Sequence, residues 1–167
     1  MYHVVRACVI DQVKMQLFER GMSTDGLASL DNLLVTTKED YESIIDKYTK
    51  EGWLNYLGYQ EDVKPFIEES HCFVLPSWHE GMANTNLECA SMGRPVITSN
   101  IHGCLEAVED GVTGYLCQKQ NSDDLYRVMK KFTQLSNKEQ KSMGLAGRKR
   151  MEEIFDKKKV VKETIDK

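Results

Sequence analysis

Residues 75–88 read Leu75-Pro76-Ser77-Trp78-His79-Glu80-Gly81-Met82-Ala83-Asn84-Thr85-Asn86-Leu87-Glu88. Just before them stands the continuous apolar run Cys72-Phe73-Val74-Leu75. A short run without polar alternation is what a strand buried on both faces looks like. Just after them a helical pattern runs over 84–92 and stops at Gly93, and a second apolar run follows at 95–98. Strand, loop, helix, strand at this spacing is a βαβ unit, which pairs the two strands in parallel through a right-handed crossover.

The same alternation continues outward. Downstream, the pattern predicts a short helix over 104–108, a turn at Asp110-Gly111 and a strand over 114–117. Ser122 then caps a helix that carries Asp123 and Asp124 in its first turn and runs to about 135. Two more helices, over 138–154 and 157–167, end the chain. Upstream, a strand over 53–57 ends at Gly58, and a helix over 63–70 has Pro65 near its start. Before these, Thr37 caps a helix whose core face is Tyr41, Ile44, Ile45 and Tyr48, closed by Gly52. The first 37 residues read as a strand over 2–10, a helix over 12–20 stopped by Gly21, a loop over 22–31 and a strand over 32–37. The expected class is α/β, a doubly wound parallel sheet with helices on both faces. Ligands of such sheets bind at the carboxyl ends of the strands. That directs attention to the loops at 58–63, 76–85 and 99–103 and to the turn after Val9.

Composition narrows the class further. The chain has 167 residues, 41% apolar and 29% charged, the profile of one ordinary globular domain with a core of its own. Its longest apolar runs are four to five residues, against the roughly 20 that a membrane-spanning helix needs. The first residues, Met1 to Gln12, show neither a basic stretch before an apolar core nor a small-residue cleavage site, so no signal peptide is expected. The cysteines at 8, 72, 89, 104 and 117 form no Cys-x-x-Cys pair and sit largely in apolar runs. They read as small hydrophobes in a reducing, cytoplasmic setting. A net charge of −4 argues against a nucleic-acid partner. The charge is uneven: residues 130–167 hold 12 Lys and Arg against 6 Asp and Glu, a balance of +6, so the rest carries −10. Two readings stay open, a pair of solvated terminal helices or an end that leans on an anionic surface such as the inner face of a membrane.

The loop itself carries the chemistry. Glu80 lies over the carboxyl end of a strand, and Glu88 lies about one turn into the following helix, on its outer side if Leu87 and Ala90 face the sheet. Between them, Gly81, Ala83, Asn84 and Thr85 open a helix N-terminus whose free N–H groups and positive dipole suit a phosphate. Carboxylates on either side of a phosphate site make sense as acceptors for flanking hydroxyls. A nucleotide-sugar has that layout, with sugar hydroxyls on one side and ribose on the other.

This loop resembles the Glu-x7-Glu motif of retaining GT-B glycosyltransferases, family four (group 1) in particular. Three further blocks agree in order and spacing. Leu57-Gly58-Tyr59-Gln60-Glu61-Asp62-Val63 resembles the base-holding loop. Gly93-Arg94-Pro95-Val96-Ile97-Thr98-Ser99-Asn100 resembles the strand after the motif helix. From Gly103, Glu106-Ala107-Val108, Asp110-Gly111 and Thr113-Gly114-Tyr115-Leu116 are similar to the family's closing pattern. The resemblance covers 38–167, leaves 1–37 unmatched, and is nearest in flavour to capsular and lipid-linked glycan transferases. It implies that the chain is one nucleotide-sugar-binding domain, half of a GT-B fold.

The resemblance implies roles for individual residues. Glu80 is the catalytic-site residue that binds donor-sugar hydroxyls, and Glu88 binds ribose. The backbone of Gly81, Met82, Ala83, Asn84 and Thr85 faces sugar and diphosphate, with the Thr85 hydroxyl and the Asn84 amide as added donors. Tyr59 and Gln60 face the base. The donor is a nucleotide-sugar, UDP-linked by family habit, with no cofactor and no metal. The acceptor is a glycan or lipid-linked hydroxyl, and transfer retains anomeric configuration. The resemblance also implies a missing half: an N-terminal GT-B domain, from another chain, supplies the acceptor side. The isolated chain is therefore expected to be inactive. Two other classes remain open, a GT-B-like epimerase and a non-catalytic remnant or module docking on a partner transferase. Other residues read blandly: His79, His102, His3 and His71 as structural, Cys89 as core, Trp78 as pocket wall or core, Arg94 as paired with a surface carboxylate, and Lys64 as a surface residue.

Overall fold

The computed structural model describes residues 38–52, 55–57 and 60–156. Its elements are α1 (Lys38–Lys50), α2 (Lys64–Glu69), β1 (Phe73–Leu75), α3 (Asn84–Ser91), β2 (Val96–Ser99), β3 (Gly114–Cys117), α4 (Ser122–Thr133) and α5 (Asn137–Ile154). The strands form one parallel sheet in the order β1-β2-β3. In register, Phe73 stands beside Val96 and Gly114, Val74 beside Ile97 and Tyr115, and Leu75 beside Thr98 and Leu116.

Because side chains alternate along a strand, this register sorts the sheet into two faces. Val74, Ile97, Tyr115 and Cys117 pack with Leu125, Val128, Met129 and Phe132 of α4. On the opposite face, Val96 packs with Cys89 and Ala90 of α3 and Met151 of α5, with Phe73, Leu87 and Leu116 beside them. Helices thus cover both faces, which is why the strand sequences are largely apolar and the polar exceptions, Thr98 and Ser99, are buried. Val74, Leu75, Val96 and Ile97 are at most 1% exposed, and full burial of such a side chain is worth about 1.5–3 kcal/mol relative to exposure.

Helices α3 and α5 cross at small residues. Gly144 approaches the backbone of Gly93 so closely that a Cβ there would lie 2.0 Å from the Gly93 carbonyl oxygen, while Gly147 faces Ala90 and Thr113. Helix α5 starts with a capping box: the Ser136 hydroxyl accepts from the Glu139 N–H, and the Glu139 carboxylate accepts from the Ser136 N–H.

Several boundaries differ from expectation. The cap of α4 is Asn121, whose side-chain oxygen accepts from the Asp124 N–H at 2.9 Å; Ser122 is the first helical residue. Asn and Ser cap equally well, so only the backbone separates them. Strand β2 is shifted by one, to Val96–Ser99. Residues 104–108 make turns rather than a helix: Cys104, Ala107 and Val108 donate to carbonyls three residues back. So short a run closes too few bonds to offset helix nucleation. Residues 55–57 are not in a strand; Tyr56 and Leu57 are 45% and 41% exposed, so these two side chains are not buried in the sheet. In α1, Ile45 and Tyr48 are buried as expected. The elements expected over 2–10, 12–20, 22–31, 32–37 and 157–167, the Thr37 cap, Trp53 and the side chains of Tyr41 and Ile44 lie outside the described residues.

Candidate functional site

β1 and β2 are neighbours, so the loops leaving their carboxyl ends meet. Gly103 is the point of contact. It has φ +88°, and a Cβ on it would lie 2.6 Å from the Glu80 carbonyl oxygen and 2.9 Å from that of Gly81. Its own carbonyl accepts the Ala83 N–H at 2.8 Å. A glycine is required there both by the backbone angle and by the close approach. The contact seats the 76–83 loop and sets the start of α3.

Helix α3 begins without a side-chain cap; Ala83 occupies the cap position. The N–H groups of Gly81, Met82 and Thr85 have no acceptor among the described residues, whereas those of Ala83 and Asn84 are bonded to Gly103 and Met82 carbonyls. Gly81, Met82 and Asn84 are exposed and Thr85 is half-buried. The Asn84 and Thr85 side chains have no partner among the described residues. Open N–H groups at a helix N-terminus, with the dipole behind them, form an anion site.

Glu80 and Glu88 flank this opening. Glu80 is half-buried, and its Oε1 accepts the Ser77 hydroxyl at 2.7 Å, which fixes the carboxylate. Glu88 is exposed, because Leu87 packs toward the core and Ala90 is 1% exposed on the opposite side of α3. Each carboxylate keeps acceptor sites open for hydroxyls.

Beneath the loop lies a polar network that the sequence reading did not single out. Asn86 and Thr98 are wholly buried. Asn86 Nδ2 donates to Thr98 Oγ1 at 3.1 Å, and Thr98 Oγ1 donates to the Leu75 carbonyl at 2.7 Å. The last residue of β1, the core of β2 and the first turn of α3 are thereby tied together. Cys104 completes the cluster. Burial pushes its thiol above the ordinary range; contact with Thr98 works against that, while the Glu80 and Glu106 carboxylates add to it. The available signal was an Asn on the sheet-facing stripe of α3, between Ala83 and Ala90.

The remaining expected residues are placed as follows. Gln60 donates to the Leu57 carbonyl at 2.6 Å, so its amide is engaged locally. Tyr59 and His3 lie outside the described residues. Trp78 is 66% exposed and so is not core. His71 and His79 are exposed, and Cys89 is buried. Among the described residues Arg94 meets no carboxylate: it donates to the Ile67 and Glu68 carbonyls at 2.9 and 2.5 Å at the end of α2, where the Ile67 carbonyl also accepts from the Ser70 N–H and hydroxyl. Lys64 is exposed at the first position of α2. Asp124, read as helix-end charge, also accepts from the Gln118 N–H and the Arg127 guanidinium, both at 2.7 Å. Among the described residues no group of three or more His, Cys, Asp and Glu gathers as a metal set, and no helix is long and apolar enough to cross a membrane.

Comparison with known proteins gives the family and the fold. A family model described as glycosyl transferases group 1 matches residues 28–134. The capsular polysaccharide biosynthesis glycosyltransferase CapM of Staphylococcus aureus is 30% identical over 130 residues, covering 74% of this chain and 33% of that protein. An N,N'-diacetylbacillosaminyl-diphospho-undecaprenol α-1,3-N-acetylgalactosaminyltransferase of Campylobacter jejuni is 30% identical over 79 residues, 47% of this chain and 21% of the relative. The chain thus spans a third or less of these relatives. Among solved structures, HepE of Anabaena with UDP and glucose superposes with a TM-score of 0.66 at 18% identity, over 77% of this chain and 36% of HepE. A TarM variant of S. aureus, solved with UDP, α-GlcNAc-glycerol and fondaparinux, gives 0.74 at 17% identity, over 94% of this chain and 31% of TarM. These likenesses show the fold, that of the GT-B glycosyltransferases. With the family match covering well over half of its length, the chain belongs to the group 1 glycosyl transferases.

Proposed function

We propose that the chain is the donor-binding domain of a glycosyltransferase and that it holds a nucleotide-sugar at the N-terminus of α3. The observation that carries this reading is the uncapped helix start, with the open N–H groups of Gly81, Met82 and Thr85 between two carboxylates. The diphosphate lies on those N–H groups. Glu80 accepts hydrogen bonds from the sugar hydroxyls, and Glu88 accepts them from the ribose. Gln60 and Tyr59 border the base. The relatives solved with UDP support a uridine nucleotide as the donor carrier.

In the transfer, an acceptor hydroxyl forms a new bond to the anomeric carbon as the bond from that carbon to the diphosphate oxygen breaks. Configuration is retained. The departing nucleoside diphosphate gains negative charge, and fixed N–H donors aimed at developing charge stabilise it without reorganisation. The hydroxyl proton leaves with the diphosphate or with a base on the acceptor side. That side belongs to a second, N-terminal GT-B domain, and exposed Trp78, Met82 and Leu105 beside the site give it an apolar surface to meet. Catalysis therefore needs both halves. The named activities of the relatives support a glycan or lipid-linked acceptor, with peripheral membrane contact. Calorimetric titration of UDP tests the reading: binding weakened by Glu88→Ala supports it, and no binding to the folded chain overturns it.

A further inference from the structure

Loops 76–85 and 99–106, which meet at Gly103, contain no Lys or Arg. Their only side chains able to carry positive charge are His79 and His102. His79 is exposed and has no bonded partner among the described residues. His102 is different. Its Nδ1 lies 3.0 Å from Glu106 Oε1, while the ring as a whole is 91% exposed. The same Oε1 accepts the Gly103 N–H at 3.3 Å. The backbone carbonyl of Glu106 is in turn held by the Arg150 guanidinium of α5 at 3.4 Å. Glu106 Oε1 thus meets both the Gly103 N–H and His102 Nδ1, which leaves His102 Nε2 open, while Glu106 Oε2 is buried without a partner among the described residues.

The position of this pair is informative. His102 precedes Gly103, whose backbone braces Glu80 and Gly81 and accepts the Ala83 N–H. It therefore stands one residue from the contact that seats the open N–H groups of α3. We propose that His102 is a diphosphate-binding residue of the donor site, its Nε2–H donating to a phosphate oxygen, with Glu106 as the positioning residue that holds the ring. The inference rests on the reading of the α3 N-terminus as a nucleoside diphosphate site. A protonated imidazole at this position meets phosphate with a charge-assisted bond. When the bond from the anomeric carbon to the diphosphate breaks, the electron pair goes to the diphosphate oxygen, and this cation lies on the side where the charge grows. The charged and titratable groups around it are Glu106 and Glu109 on its own segment, Glu80 and His79 on the β1–α3 loop, and Arg150 on α5, which also pairs with Glu109 at 3.8 Å.

The test titrates UDP-glucose and uridine into the chain, His102→Gln, Glu106→Gln and His79→Gln, at about pH 6 and about pH 8, the range across which imidazole changes charge. UDP-glucose suits the purpose because its diphosphate is a diester and keeps its charge across that range. The expected result is that His102→Gln weakens UDP-glucose about tenfold at the lower pH, as for loss of one charge-assisted hydrogen bond, and leaves uridine binding unchanged. The wild-type affinity falls toward the higher pH. His102→Gln abolishes that slope, Glu106→Gln, which removes the carboxylate that holds the ring, weakens UDP-glucose binding, and His79→Gln keeps both affinity and slope. Wild-type affinity or a wild-type slope in His102→Gln overturns this proposal alone. Failure of the unaltered chain to bind UDP-glucose overturns the donor-site reading and this proposal with it. His102 is exposed, so its variant is expected to fold, and an unchanged melting temperature checks that.

Discussion

Gly103 stands against Glu80 so closely that a methyl group on Gly103 would lie 2.6 Å from the Glu80 carbonyl oxygen, and its φ of +88° already excludes most side chains. One glycine in the loop after β2 thereby sets the height of the loop after β1. Gly103→Ala is expected to lower stability by about 1–3 kcal/mol, the usual cost of a strained backbone position, and to weaken UDP-glucose binding. Chemical denaturation and calorimetry check the two effects together. Unchanged donor affinity in a destabilised variant would detach the loop contact from the site.

The buried pair Asn86 and Thr98 gives a second expectation. Thr98→Val leaves the Asn86 amide without its acceptor and the Leu75 carbonyl without the hydroxyl donor. The expected loss is about 1–3 kcal/mol, the cost of an unsatisfied buried polar group. Asn86→Ala removes the same bond from the other side, so the double variant should lose less than the two single losses added. Urea denaturation of the three variants measures the coupling.

Two glycines of α5 should respond in opposite directions. A Cβ at Gly144 would meet the Gly93 carbonyl oxygen at 2.0 Å, whereas at Gly147 the nearest atoms lie at 3.7 Å. Gly144→Ala is expected to destabilise by about 1–3 kcal/mol or more through overpacking. Gly147→Ala is expected to stabilise by about 0.5–1 kcal/mol, because Ala favours the helix interior. Thermal melts give both signs; two equal effects would contradict the α3–α5 crossing.

Asp124 supplies a pH dependence. Burial pushes its carboxyl up, but hydrogen bonds from the Arg127 guanidinium and the Gln118 N–H, with the Arg127 charge, bring it below its ordinary value. A carboxyl depressed on folding adds stability above the ordinary carboxylate range, and that stability is lost as pH falls through the folded value. Asp124→Asn should therefore be less stable than the natural chain at neutral pH, with the gap closing on acidification. Denaturation midpoints across that range follow it; a gap that widens in acid has the wrong sign.

At the donor site, Glu88→Ala should weaken UDP-glucose by roughly 1–3 kcal/mol, the scale of unpairing polar groups in a bound complex. Glu80→Gln should weaken UDP-glucose more than UDP, because its partners are sugar hydroxyls. Equal losses for the two ligands would move Glu80 away from the sugar.

The sequence made the parallel α/β pattern, β1, β3 and α3 legible because both faces of the sheet are covered, so strands such as Gly114–Cys117 read as uninterrupted apolar runs between glycine and polar breaks. It misled where short runs compete. The segment at 104–108 has helical residues but room only for turns, and Tyr56 with Leu57 is apolar yet exposed. The opening between Glu80 and Glu88 was legible because it is local, a loop entering a helix. The Gly103 brace, the Asn86–Thr98 tie and the His102–Glu106 pair were not. The first two join residues from separate elements through the strand register. The third shows its meaning only once Gly103 is placed against Glu80. Arg94 failed for another reason: carbonyls at the end of α2, not a carboxylate, are its partners.

Amide NMR spectra of the chain recorded during a titration with UDP-glucose test the donor site at its centre. The account predicts that the largest shifts fall on the N–H groups of Gly81, Met82 and Thr85, and that Glu88→Ala raises the concentration needed to produce them. UDP-glucose binding that leaves those three amides unmoved, or no binding by the folded chain, would contradict it.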